Sequence, residues 1–341
     1  MRILFIGGTK RGYSAIRTLI EQEAKVVGVI SLRQDEHEEE RYELPIKELA
    51  QRFEIPCYET KWMNEQNYVE LISNKLQPDI AFVVGCRILI PKEIYQIPLQ
   101  GTLAIHDSLL PQYRGFAPLN WAILNGENYT GVTLFYLNEL MDGGDIVAQK
   151  RININSNDTA PMVYEQICQA TVDIILETYL SFYHQQVTRI KQNYAQGSFT
   201  CSRTPQDGLI NWSQSTITVY NQIRALTYPY PGAFTFYKGK KLNIWRAKLL
   251  DNHQDYVGRI PGRVVCVSKS NGYVDVLTGD GIIRIFEVQF EAEEKTSAAN
   301  IIKSVRTTLG LQVVDLLERI KSLEQQVVFL TEEIKNQKYA K

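Results

Sequence analysis

Through the first half of the chain, short β-rich apolar runs alternate with amphipathic stretches. "RILFI" (2–6), "KVVGVIS" (25–31), "IAFVV" (80–84), "TLAI" (102–105) and "GVTLFYL" (131–137) read as strands, and helical patterns near 13–22, 44–53, 64–75 and 117–125 separate most of them. That rhythm predicts an α/β domain built on an open, mainly parallel sheet. A longer helix is expected from an N-cap at Asp158 or Thr159, with Pro161 in its first turn, to about Tyr183.

Beyond it the texture changes. Residues 193–214 are rich in turn formers and read as a linker laid over the surface. A short helix near 215–226 follows, then strands at 233–237, 241–247, 262–268, 273–277 and 282–288, separated by tight turns such as "KSNGY" and "TGDG". Their close spacing predicts a small β-barrel-like second domain. The expected domains are therefore 1–192 and 215–308, followed by a tail, 309–341. In the tail, Val313, Leu316, Ile320, Leu323, Val327, Leu330 and Ile334 are spaced alternately by three and four, the a/d seam of a coiled coil. So short a helix is marginal alone in water, so it either pairs with another copy, as in a homodimer, or docks on the second domain.

Composition narrows the function classes. The net charge of −1 gives no support to a general polyanion-binding surface. Cys57, Cys86, Cys168, Cys201 and Cys266 are scattered without a C-x-x-C pair, which fits a reducing cytoplasm and argues against a cysteine metal site. The N-terminus reads as a strand rather than a signal peptide, and the apolar window "IAFVVGCRILI" contains Arg87 and is too short for a membrane span.

Of the four histidines, His37 lies in the acidic run "QDEHEEER", and His184 and His253 lie in polar surroundings. His106 follows an apolar strand and precedes a tight turn, at the carboxyl edge of the sheet where open α/β folds place their ligands. Asp142, in "ELMDGGDI", follows another strand and precedes two glycines that let its loop approach a ligand. The two are expected at one rim, where a carboxylate orients and charges an imidazole; the plainer alternative is a buried histidine satisfied by hydrogen bonds. "GGTKRG" lacks the spacing of a dinucleotide or phosphate loop and reads as a turn.

"HDSLLPQYRGFAPLNWAILNGENYTGVTLF" followed by "MDGGDIVAQ" resembles the signature of folate-dependent formyltransferases, the superfamily of methionyl-tRNA formyltransferase and the N-formyltransferases of amino sugars. "SRTPQDGLINWS", "IRALTYPYPGAFTF" and "KLNIW" resemble the C-terminal domain of the same group, so the likeness covers about residues 1 to 310. "RGFAPLNWAILNGE" and "IVAQ" are closest in flavour to the enzyme that formylates UDP-4-amino-4-deoxy-L-arabinose. The resemblance implies a Rossmann-like catalytic domain, an OB-like C-terminal domain and 10-formyltetrahydrofolate as donor, with no metal. It also implies that Arg87, Ile88, Leu89, Leu110, Met141 and Gly143 build the folate pocket, and that Ser108, Arg114, Asn120 and Trp121 lie on the acceptor side.

The active site of that family is an Asn, a His and an Asp, and the matching positions here are Ala104, His106 and Asp142. Two match, and the third departs. An amide donor to a developing oxyanion is worth on the order of 10²–10³ in rate, and alanine offers none. Another donor or a water takes its place, activity is reduced, or the domain binds folate without formylating. The run "RQDEHEEERYE", with five carboxylates between Asp35 and Glu40, would repel RNA. The expected acceptor is therefore a nucleotide-linked amino sugar, with methionyl-tRNA as the alternative.

Overall fold

The computed structural model describes residues 1–33, 41–63, 66–184, 186–250 and 254–339; the carboxylates from Asp35 to Glu40, His37 and His253 fall outside them. The chain divides into two compact units, Met1–Arg203 and Thr204–Lys341.

In the first unit, β1 (Ile3–Gly7), α1 (Thr9–Glu21), β2 (Val26–Leu32), α2 (Glu43–Arg52), β3 (Cys57–Thr60), α3 (Gln66–Glu70), β4 (Ile80–Val84), α4 (Lys92–Tyr95) and β5 (Thr102–His106) alternate as the apolar runs predict. β1, β4 and β5 are buried along their whole length, the pattern of strands covered on both faces. After the two-residue β6 (Arg114–Gly115) come α5 (Pro118–Leu124), β7 (Tyr129–Tyr136), β8 (Ile146–Asn153) and α6 (Ala160–Tyr183). The seven-stranded sheet has the order β3-β2-β1-β4-β5-β7-β8. Its first five strands are parallel, whereas β7 and β8 are antiparallel. α6 starts where expected, with Thr159 extended at its N-cap and Pro161 in the first turn.

Two strands of the seven-stranded sheet escaped the sequence reading. β3 has four residues and is mostly half-buried. β8 carries Gln149 and Arg151 at exposed positions and Lys150 at a half-buried one between them, so it lacks a continuous apolar run. The helix expected over 64–75 is α3 running into a π-helical stretch, Leu71–Leu76, that ends on Gln77 in the left-handed region.

The segment expected as a linker is shared between the units. Its first part adds β9 (Phe199–Thr200), which pairs in parallel with β6, and the Trp121 indole donates to the Cys201 carbonyl. From Thr204 the chain belongs to the second unit, where Ile210 N–H donates to the Phe234 carbonyl and Trp212 is buried. There α7 (Thr216–Leu226), N-capped by Ser215, precedes β10 (Ala233–Tyr237), β11 (Lys240–Leu249), β12 (Val264–Ser268), β13 (Tyr273–Leu277) and β14 (Ile282–Phe290). They form an antiparallel sheet of order β10-β11-β14-β13-β12, with β15 (Thr296–Ser297) on β14. Helices α8 (Ala298–Ile301) and α9 (Val313–Tyr339) follow. Among the described residues no helix is long and apolar enough to cross a membrane.

Phe82 in β4 is fully buried, with Phe5 as its register partner on β1. Phe82→Ala is expected to destabilise the first unit by about 3–5 kcal/mol, read as a lower denaturation midpoint in guanidinium for the transition of that unit.

Candidate active site

β5 ends on His106, and strand alternation places Ala104 on the same face. Beyond His106 the chain turns sharply, and a buried threonine on β7 holds the turn. The Thr133 hydroxyl donates to the Ser108 carbonyl (2.6 Å) and accepts from Leu110 N–H (3.0 Å) and the Gln149 amide (2.9 Å). The Ser108 hydroxyl donates to the Gln112 carbonyl, so this side chain shapes the turn from within. The Tyr113 phenol donates to Glu127 and accepts from the Asn125 amide.

The turn delivers the Tyr113 carbonyl to the imidazole. His106 Nε2 lies 2.7 Å from that oxygen. A carbonyl only accepts, so Nε2 carries the hydrogen and the neutral ring presents Nδ1 as its basic nitrogen. Nδ1 faces Asp142 Oδ2 at 3.7 Å, too far for a direct hydrogen bond but close enough to favour an imidazolium. Burial holds the His106 pKa below the ordinary imidazole value, outweighing the upward pull of Asp142 and of the Tyr113 carbonyl, and Arg11 pushes it down further. Asp107, next in sequence, pairs with Arg11 of α1.

Asp142 does not arrive at this rim as the end of a parallel strand. β7 is antiparallel to β5, with Leu103 opposite Tyr136 and His106 opposite Thr133, so β7 finishes at the far end of β5. The loop 137–145 must therefore return to the His106 end of β5. Asp142 sits in the left-handed region at φ 47° and accepts from Gly115 N–H at 2.8 Å. The Gln192 amide donates to the carbonyls of Asp142 and Gly144, and the Tyr194 phenol donates to that of Gly143. A Cβ at Gly144 would stand 1.6 Å from the Tyr136 carbonyl oxygen, so only glycine fits where the loop closes. The Tyr113 carbonyl, Gly115 N–H, Gln192 and Tyr194 were not foreseen, because two are backbone groups and two lie in or beside turn-rich sequence without periodicity.

The other expected residues distribute unevenly. Arg114 is buried, its guanidinium over the rings of Tyr194 and Phe199 at 5.0 and 4.3 Å. A Cβ built on Gly143 would lie 3.6 Å from Arg114 Nη1, so this arginine borders the Asp142 loop. Asn120 is buried in α5, and Trp121 carries Arg203 over its ring. Ala104 and Leu110 are buried in the apolar cluster that includes Phe135 and Ile146, against which Ile88 and Leu137 pack. Arg87 and Leu89 are exposed in the segment after β4, and Met141 is exposed beside Asp142. A cleft of about 860 Å³ lined by Tyr95, Gln100, Tyr136, Asn138 and Arg189 includes neither His106 nor Asp142. Among the described residues no three His, Cys, Asp or Glu side chains group as a metal site.

Residues 1–179 match the formyl transferase family and residues 203–306 its C-terminal domain. Methionyl-tRNA formyltransferase of Alkaliphilus oremlandii is 31% identical over 297 residues, covering 86% of this chain and 94% of its own. The bifunctional polymyxin resistance protein ArnA of Wigglesworthia glossinidia brevipalpis is 36% identical over 249 residues, 73% of this chain and 38% of its own, so the chain spans little more than a third of that protein. The N-formyltransferase from Helicobacter canadensis, solved with folinic acid and dTDP-3-aminofucose, shares the fold at a TM-score of 0.63 and 20% identity, over 85% of this chain and 99% of its own. HypX from Aquifex aeolicus, solved with tetrahydrofolic acid, does so at 0.61 and 20%, over 89% of this chain and 47% of its own. Both catalytic and C-terminal matches run in order along one chain, and this protein belongs to the formyl transferase family.

Proposed function

We propose that this protein transfers a formyl group from 10-formyltetrahydrofolate to the amine of a nucleotide-linked amino sugar, in the cytoplasm. The observation that carries the reading is the imidazole of His106, its Nε2 hydrogen committed to the Tyr113 carbonyl and its Nδ1 turned toward Asp142. An amine that gains a formyl group must lose a proton. Nδ1 would accept it as the amine bonds to the formyl carbon, and the same proton would pass to the folate nitrogen as its bond to that carbon breaks; the Asp142 carboxylate, held by Gly115 N–H, stabilises the imidazolium in between.

The residues around this pair fit a folate. Leu89, Leu140 and Met141 present apolar side chains to solvent, and the Lys92–Glu139 ion pair ties the region after β4 to the Asp142 loop. Arg87, Ile88 and Leu89 on one side, with Met141 and Gly143 on the other, would hold the pterin, over the apolar floor that contains Leu110. The donor supplies an activated formyl group, and the chain positions it and removes the proton. Ser108 and Arg114 would set the shape of the acceptor side, with Asn120 and Trp121 beyond them.

A sugar acceptor is supported by the likeness to ArnA and to the fold solved with dTDP-3-aminofucose, and by the carboxylates from Asp35 to Glu40 in the sequence. The second reading, formylation of methionyl-tRNA, has its own support in a relative matched over 94% of its length. Mass spectrometry of purified protein with 10-formyltetrahydrofolate, amino-sugar nucleotides and methionyl-tRNA separates them. One amino sugar is expected to gain a formyl group, whereas product on tRNA alone, with binding that weakens steeply in salt, would reverse the assignment. His106→Gln is expected to lower the rate on the order of 10²–10⁴-fold while folate binding persists.

The direction of the His106 shift sets the pH profile. A base with a lowered pKa is more than half unprotonated at pH 6.5, so the midpoint of the acid limb is expected on the acid side of the ordinary imidazole value. An acid limb in kcat/KM with its midpoint above pH 6.5 would remove His106 from the role. Ala104 lies in the apolar cluster, so an amide there would be buried among apolar neighbours. Ala104→Asn is expected to cost about 1–3 kcal/mol of stability, and a stable variant with higher kcat would show instead that the missing amide limits the rate.

A further inference from the structure

We propose that α9 pairs with the same helix of a second copy of this chain as a parallel, in-register, two-stranded coiled coil. The observations are confined to the helix. All seven seam residues are exposed, from 41% at Leu316 to 70% at Val313. An amphipathic helix draws most of its stability from packing its apolar face, and along these twenty-seven residues that face is uncovered. The seam residues also specify their own partner. The a positions, Val313, Ile320, Val327 and Ile334, are all β-branched, and the d positions, Leu316, Leu323 and Leu330, are all leucine. That distribution favours two parallel strands over three or four.

Charge agrees with the same register. Arg319 occupies a g position and Glu324 the following e position. In a parallel pair each Arg319 meets Glu324 of the partner subunit, twice by symmetry, and the next such pair sets Gln326 beside Thr331. An antiparallel pair that kept the seam would set Arg319 beside Glu333 of the partner subunit, but it would also bring the two Glu324 carboxylates across from each other near its middle. Residue types and charges of the seam thus suit a second copy of α9.

Sedimentation velocity on the full chain tests the proposal. The expected species has twice the 39.1 kDa chain mass, and Leu323→Asp is expected to convert it to monomer with formyl transfer unchanged. Leu316→Cys reads the orientation. In a parallel pair the two introduced thiols face each other and oxidise to a dimer on a non-reducing gel, absent from the parent chain treated alike. In an antiparallel pair they lie opposite Ile334, roughly 27 Å from each other along the axis, and no cross-link forms. A monomeric parent chain, or a dimer that survives Leu323→Asp, overturns the proposal. A dimer lost in Leu323→Asp that gives no Leu316→Cys cross-link overturns the parallel register.

Discussion

The hydrogen bond from His106 Nε2 to the Tyr113 carbonyl decides what the site can do. It chooses the tautomer, and so chooses which nitrogen is left to accept a proton. Much of the surrounding structure holds that carbonyl in place. The 107–113 turn is pinned from below by Thr133, from within by Ser108 and at its end by the Tyr113 phenol on Glu127. The Tyr113 backbone, at φ 57°, pays the conformational cost.

The second constraint is topological. Because β7 runs against β5, a carboxylate at its end would be wasted on the wrong side of the sheet, and a returning loop corrects this. The loop holds its shape through Gln192 and Tyr194, which reach back to three successive carbonyls. Its recoil places Asp142 at the imidazole with a carboxylate oxygen already satisfied by Gly115 N–H. Two non-glycine residues with positive φ, Tyr113 and Asp142, fall in the two segments that build the site. Such conformations persist where surrounding contacts over-determine them.

Much of this was legible in the sequence, and the illegible part has a common cause. Apolar runs announced β1, β2, β4 and β5 because strands covered on both faces need them. β8 was silent because an edge strand carries Lys150 and Arg151 where a central one carries valine. His106 and Asp142 stood out by residue type, yet the argument that joined them assumed similar strand ends, and the antiparallel ladder supplies a different reason. Ala104 was visible as a departure, and its apolar neighbours explain why a small side chain is comfortable there. Backbone donors and acceptors such as Gly115 N–H have no signature in residue type, so no reading of side chains could have named them.

The two outer strands of the catalytic sheet have a consequence for how copies of this protein meet. β3 is four residues long, with Glu59 bound to Lys47. β8 commits Lys150 to Asp173, stacks Arg151 on Tyr129 and receives a bridge from Ile190 at Ile146. Short, charged or covered margins resist strand-to-strand addition. The sheet thereby refuses to grow by templating another chain, and a crowded solution of this protein is protected from fibre-like stacking through its catalytic unit.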